Sequence, residues 1–236
     1  MQMQLSEKIA LVTGGTGALG SVVANRLSSE GAHVTATYVR EQSLNQTSRE
    51  LRERVTFTRA DVTNESEVIA LYDGIVSALS RIDIVVNTVG GYLSQKPLTE
   101  VRVEEWDLMM NINLKSTFLS TREALRRMQG QTYGRIINIS AMVGLSPLPG
   151  RAPYAISKAG VSMLTDLSAQ EVKGSGITIN AIAPSIIGTN SNVGSKPQES
   201  LSKWVTPDQI ADIVCYLCSP AAGSITGTTV KAYGGV

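Results

Sequence analysis

Short apolar runs rich in β-branched residues alternate along this chain with longer segments whose apolar residues recur at helical spacing. The runs cover 9–12, 33–38, 55–59, 82–86, 136–139, 177–183 and 228–231. The intervening helical patterns cover 18–29, 65–79, 104–128, 154–172 and 207–217, with one short helix expected within 40–54. Strands separated by helices of about ten residues or more must run parallel, because a tight hairpin cannot join them. A parallel sheet has to be covered on both faces. The expectation is therefore an α/β fold: a doubly wound parallel sheet of seven strands, helices on both faces, in one domain spanning 1–236. Right-handed crossovers place a ligand crevice beyond the carboxyl ends of such strands.

Local signals agree. Leu19, Val22, Val23 and Leu27 share one face of the first helix, and Gly31 stops it. The long helical stretch 104–128 is expected to bend near Asn113. Three prolines and two glycines make 144–153 a loop. The irregular stretch 184–206 is long for a connection in a compact domain, so it reads as a substrate loop.

Composition narrows the function class. Of the 236 residues, 42% are hydrophobic, enough for one sizeable core. Lys plus Arg is 21 and Asp plus Glu is 20, with no basic stripe, so no nucleic-acid partner is expected. No apolar run reaches the roughly 18 to 20 residues of a membrane span. The first residues lack the apolar middle of a signal peptide, so a cytoplasmic location is expected. Cys215 and Cys218 have redox-motif spacing but lie in the apolar run 213–218, which points to packing. His33 is the only histidine. That leaves neither a metal-ligand cluster nor a base for a nucleophilic serine.

The first apolar run ends in Thr13-Gly14-Gly15-Thr16-Gly17-Ala18-Leu19-Gly20 and opens a helix. Gly14 and Gly20 permit a tight turn and close helix–strand packing, and amides at the helix start can hold a pyrophosphate. This is a Rossmann-type dinucleotide signature. Recognition of a free ribose 2′-hydroxyl needs an acid at the end of the second strand. Thr37-Tyr38-Val39-Arg40 has none there, and Arg40 suits a 2′-phosphate instead. NADP is the expected cofactor, with NAD the alternative.

Tyr154 and Lys158 are four apart in a helix and share a face. A phenol near pKa 10 is a poor acid–base group at neutral pH, and an adjacent ammonium lowers its pKa. Such a pair can protonate a carbonyl or imine as hydride arrives.

Taken together these motifs resemble the short-chain dehydrogenases/reductases over about 5–235. The resemblance implies a cofactor turn at Gly14, Gly15, Thr16, Gly17, Ala18 and Leu19, with Ala18 where the family has a glycine. It implies an adenine contact at Asp61-Val62 and a sheet-supporting, cofactor-lining stretch at Asn87-Thr88-Val89-Gly90. Asn113 matches the asparagine of the family's proton relay. Tyr154 and Lys158 match its catalytic pair, the lysine also holding the nicotinamide ribose. Pro184 to Thr189, including Ile187, matches the segment beside the carboxamide, with Ser185 in place of a glycine. The family's catalytic serine lies thirteen residues before the tyrosine, and that position is Ala141. Neighbouring Ser140 is a replacement only if the strand has already broken into loop, since adjacent strand residues face opposite ways.

A serine is also lacking in the dihydropteridine reductase subgroup, which some features resemble: the form of Gly14 to Gly20, Gly90-Gly91, and Thr189, Ser202, Trp204, Thr206 and Pro207. A pteridine reductase and a non-catalytic cofactor-binding protein are thus alternatives to a general reductase. The substrate wall reads as Tyr92, Leu93, Met142, Leu148, Ile186, Ile187 and Trp204, which favours an apolar or neutral small molecule. The resemblance further implies a homotetramer or homodimer, with seams on the helices of Asn113 and Tyr154 and on the last helix and strand.

Overall fold

The computed structural model describes residues 5–93, 95–189 and 202–235. Seven strands form one sheet in the order β3-β2-β1-β4-β5-β6-β7, every neighbouring pair parallel. They are β1 (Ile9–Thr13), β2 (His33–Tyr38), β3 (Thr56–Arg59), β4 (Ile84–Asn87), β5 (Gly134–Ile139), β6 (Ile177–Pro184) and β7 (Thr229–Ala232). The winding reverses where β3 leads to β4 on the far side of β1. The crevice therefore opens between the carboxyl ends of β1 and β4, where Thr13 and Asn87 are register partners.

Alternation along the strands divides the core into two layers. Ala10, Val12, Ile84 and Val86 face one layer, which α1 (Gly20–Ser29) and α9 (Pro207–Cys218) cover with Val23, Leu27, Ile210 and Val214. Ile9, Leu11, Val85 and Ile136 face the other. There α4 (Glu65–Leu79) contributes Val68, Leu71, Tyr72 and Ile75, and α6 (Ser116–Met128) contributes Leu119 and Met128. Each fully buried large side chain contributes roughly 1.5–3 kcal/mol. Cys215 and Cys218 are buried in the first layer, and burial pushes both thiols up, Cys215 to about 11.

Helix ends follow local chemistry. Asn64 accepts from the Ser66 amide at the start of α4, and Ser80 closes that helix in the left-handed region. Thr206 and Gln209 form a reciprocal capping box on α9 behind Pro207.

Three segments depart from the sequence expectation. The 40–54 stretch holds two short helices, α2 (Glu41–Asn45) and α3 (Arg49–Arg54), separated where Ser48 caps the second. The 104–128 helix is α5 (Val103–Met109) and α6 joined by a π-helical turn, Met110–Lys115, that carries Asn113. A short helix, α7 (Met142–Leu145), follows β5, and α8 (Ala152–Glu171) begins before Tyr154. Within 184–206, residues 190–201 lie outside the described residues. The flanks meet at a parallel bridge between Ile187 and Val205.

Candidate active site

The glycine turn is built by close approach. Gly14 has φ +73°, a left-handed conformation that favours glycine. A β-carbon at Gly20 would collide with the Gly14 carbonyl oxygen, and one at Gly15 with the Ala36 methyl. Thr37 fixes the turn from β2: its hydroxyl accepts from the Gly14 amide at 2.9 Å and its carbonyl from the Gly15 amide at 2.8 Å. The Thr88 hydroxyl donates to the Thr13 carbonyl at 2.6 Å and ties β4 to β1. Ala18 is exposed, so its methyl displaces nothing, while Leu19 is buried. The first turn of α1 has no capping side chain and no acid. The Ser21 amide donates to the Gly17 carbonyl at 2.9 Å and the Val23 amide to the Leu19 carbonyl at 3.0 Å, so only part of this helix start is left for an anion.

Two cavities of about 490 Å³ each lie along the carboxyl edge and share Thr88 and Gly90. The one on the β2 side is bordered by Gly14, Thr16 and Gly17, by Tyr38 and Arg40, and by Asp61, Val62 and Val89. Asp61 makes a local turn, its carboxylate accepting from the Thr63 amide at 2.9 Å and hydroxyl at 2.7 Å. An acid absent from the sequence reading, Glu41, lies just past β2, though it does not border this cavity. Glu41 accepts from the Tyr38 phenol at 2.8 Å and holds that phenol's pKa up. The i,i+3 spacing of the two at the strand end was its only signal.

The other cavity is bordered by Leu19, Ala141, Tyr154 and Lys158 on one side and by Pro184, Ile187 and Trp204 on the other. Beneath the cleft, Asn87 donates to Asn138 Oδ1 at 2.8 Å, and Asn138 donates to Thr165 at 2.9 Å. Asn87 thus braces β4 against β5 and α8. Thr189 is buried and does not border the cavity.

Asn113 links three elements. Its Oδ1 accepts from the Gly91 amide at 2.9 Å, while Nδ2 donates to the Gly91 carbonyl and to Ser157 Oγ, each at 3.1 Å. The π turn makes the room for this, and Ser157 is a positioning residue that the sequence did not single out. Gly90 is held bare beside it: a β-carbon there would lie 2.8 Å from Asn113 Oδ1 and 3.1 Å from Lys158 Nζ.

The Ser140 alternative meets a definite geometry. β5 ends at Ile139, but the Ser140 hydroxyl donates to the Lys158 carbonyl at 2.8 Å and shares a 2.9 Å hydrogen bond with Ser162. It is bonded to α8 and also borders the cavity of Tyr154. Ala141 is extended, buried, and packed with Val143, Ala155 and Tyr154. The residue facing Tyr154 thus carries a methyl and no hydroxyl.

Tyr154 and Lys158 share a face of α8, but the expected depression of the phenol by the lysine is absent. Burial pushes Tyr154 up to about 12, opposed chiefly by the charge of Arg151. The Tyr92 ring stands edge-on to Tyr154, centroids 5.2 Å apart. Lys158 is buried, donates to the Ile139 carbonyl at 2.8 Å, and is lowered to about 8 by desolvation. Its ammonium is turned toward the end of β5.

Among the described residues no group of three or more His, Cys, Asp or Glu is placed to hold a metal, and no helix is long and apolar enough to cross a membrane.

Comparison with known proteins agrees with this architecture. Residues 8–200 match the family model for short chain dehydrogenase. A 3-oxoacyl-(acyl-carrier-protein) reductase FabG from Rickettsia bellii is 33% identical over 243 residues, covering 99% of this chain and 98% of that protein. An uncharacterized oxidoreductase from Staphylococcus epidermidis is 31% identical, covering 97% of this chain and 98% of its own. The structure of a short-chain type dehydrogenase/reductase from Mycobacterium ulcerans superposes with a TM-score of 0.90 at 26% identity, covering 98% of this chain and 90% of that one. The chain belongs to the short chain dehydrogenase family and is an NAD(P)H-dependent oxidoreductase of that type.

Proposed function

We propose that this chain reduces a carbonyl or related double bond with NADP(H), Tyr154 giving the proton. The observation that carries the reading is the convergence of Tyr154, Lys158 and the glycine turn on one edge of the sheet, in cavities joined at Thr88 and Gly90. A dinucleotide fits the residues present. The start of α1, free of capping side chains and of acids, suits its pyrophosphate, and Gly17 and Gly90 leave bare the walls it would lie against. Asp61 and Val62 would border the adenine. Arg40, with Thr16 and Ser43 beside it in the same cavity, would hold a 2′-phosphate. When bound, the nicotinamide supplies the hydride.

The chain's own residues supply alignment and a proton. A phenol near 12 is fully protonated at neutral pH, which suits it to donate to an oxygen gaining negative charge. Lys158, fixed by the Ile139 carbonyl, presents its remaining donors beside Gly90, where they would hold the nicotinamide ribose. Asn113 keeps the Gly91 segment and α8 in register and stands next to Lys158 in the proton relay that the family resemblance implies. Pro184, Ile187 and Trp204 close the opposite wall and shield the reacting atoms from water.

A homotetramer or homodimer is part of the proposal. Leu108 and Phe118 on α5–α6, and Met163 and Leu167 on α8, are each at least 41% exposed. These apolar faces support a self-association seam.

The test is a screen of NADPH oxidation against ketones, 3-oxoacyl thioesters and quinonoid dihydropterins. Turnover on at least one is expected. Tight NADPH binding without turnover on any class would replace the reductase with a non-catalytic cofactor-binding protein, and turnover confined to the dihydropterins would replace it with a pteridine reductase.

A further inference from the structure

Among the described residues, five arginines bury an Nε that has no hydrogen-bond partner: Arg26, Arg122, Arg127, Arg135 and Arg151. Four are engaged through their other nitrogens. Arg26 pairs with Glu30 and Asp212, Arg122 with Glu65 and Arg127 with Asp73, while Arg135 donates to the carbonyls of Gly134 and Gly176. The Arg151 guanidinium forms no ion pair and no hydrogen bond among the described residues. The Tyr92 ring lies 5.9 Å from its guanidinium carbon.

Its placement is what gives this meaning. Arg151 borders the catalytic cavity together with Tyr154, Ala141 and Tyr92. It also borders a smaller cavity with Leu93, Lys96 and Glu105. Glu105 is the carboxylate on that side, and it is already taken by Lys96 at 2.7 Å and Arg102 at 3.6 Å. A partly desolvated cation with no counter-charge is costly, and a planar guanidinium fork is shaped for an oxyanion. The rest of the wall that a substrate would meet is largely apolar, and Ala141 offers no hydrogen bond.

We propose that Arg151 determines specificity by receiving a carboxylate or similar small oxyanion, carried by the oxo substrate a few bonds from the carbonyl that Tyr154 addresses. This rests on the reductase reading of the same cleft. It replaces the neutral substrate suggested by the apolar wall with an apolar oxo compound bearing one anionic end.

The experiment reads binding, so it does not depend on turnover. The 2-, 3- and 4-oxopentanoates and their methyl esters are titrated calorimetrically into the protein with NADP+, which cannot reduce them, and into the protein alone. The second arm separates a substrate anion from a cofactor phosphate as the occupant. At least one acid is expected to bind about 10- to 100-fold more tightly than its ester, as befits a charge-assisted hydrogen bond. Arg151→Gln should reduce that acid-to-ester ratio at least tenfold, and Arg151→Lys should restore part of it. Ratios near one for all three pairs, or a ratio unchanged by Arg151→Gln in protein of unaltered melting temperature, would overturn the proposal. So would a preference for the acids that NADP+ abolishes. Failure of NADPH oxidation on every substrate, with the acid preference intact, would count against the reductase reading alone.

Discussion

Restoring a hydroxyl opposite Tyr154 is the most informative single substitution. In Ala141→Ser the backbone is already extended and the side chain is buried against Tyr154, Val143 and Ala155. The added oxygen enters at the wall of the cavity that Ser140, Arg151, Lys158 and Ser185 also border, with the Tyr154 side chain packed nearby. Left unpartnered it costs about 1–3 kcal/mol. For a domain of this size that is a fall in Tm of roughly 2–4 °C per kcal/mol. Bonded to the phenol or to a substrate oxygen, it returns about 0.5–1.5 kcal/mol, a rate gain of roughly 2- to 10-fold. The expected result is a lower Tm in the free protein together with a 2- to 10-fold rise in kcat/KM, roughly the size of one neutral hydrogen bond. The assay is NADPH oxidation beside a thermal melt, on the same preparation. A rise of a hundredfold or more would mean that the native pocket lacks something nothing else supplies. No change in either quantity would mean that position 141 does not face the tyrosine.

Further outcomes follow from the same geometry. Arg40→Ala should lower the preference for NADPH over NADH about tenfold in kcat/KM, the size of one charge-assisted hydrogen bond; equal loss on both cofactors would remove Arg40 from the 2′-phosphate site. The rate of reduction should fall as pH rises through about 8, because Lys158 loses its charge there while Tyr154, near 12, keeps its proton. Lys158→Arg should move that alkaline limb upward, and an unmoved limb would assign it to another group. Asn113→Ala leaves the Gly91 amide without its acceptor and cuts the link to Ser157, whose hydroxyl still donates to the Tyr154 carbonyl, so stability should drop by about 1–3 kcal/mol in denaturant unfolding; a change within a few tenths would deny Asn113 its bracing role.

Much of the scaffold was legible because its signals are local and repeated. The β2 and α4 segments have the same bounds in sequence and structure, since β-branched residues fill one and Asn64 caps an amphipathic face in the other. The 40–54 stretch was harder. It is polar with a single buried residue, Leu51, so periodicity did not place the break that Ser48 makes. A bend at Asn113 was expected, but its π geometry depends on contacts with Gly91 and Ser157 from distant segments. Ala141 and Ser140 could not be separated by sequence, because the choice turns on which side chain points at α8. The tyrosine–lysine pair was legible as a shared face. What the spacing could not convey was that desolvation acts on both groups and that Arg151 is the cation opposing it at Tyr154.

The proposed reaction turns on a protonated Tyr154, held beside a bound dinucleotide, delivering the proton. The decisive variant is Tyr154→Phe, assayed on a substrate that wild type reduces, with kcat and the Kd for NADPH measured together. Loss of the phenol proton should lower kcat by roughly 10²- to 10⁴-fold and leave the Kd within about twofold. A variant that retains wild-type kcat would contradict the claim.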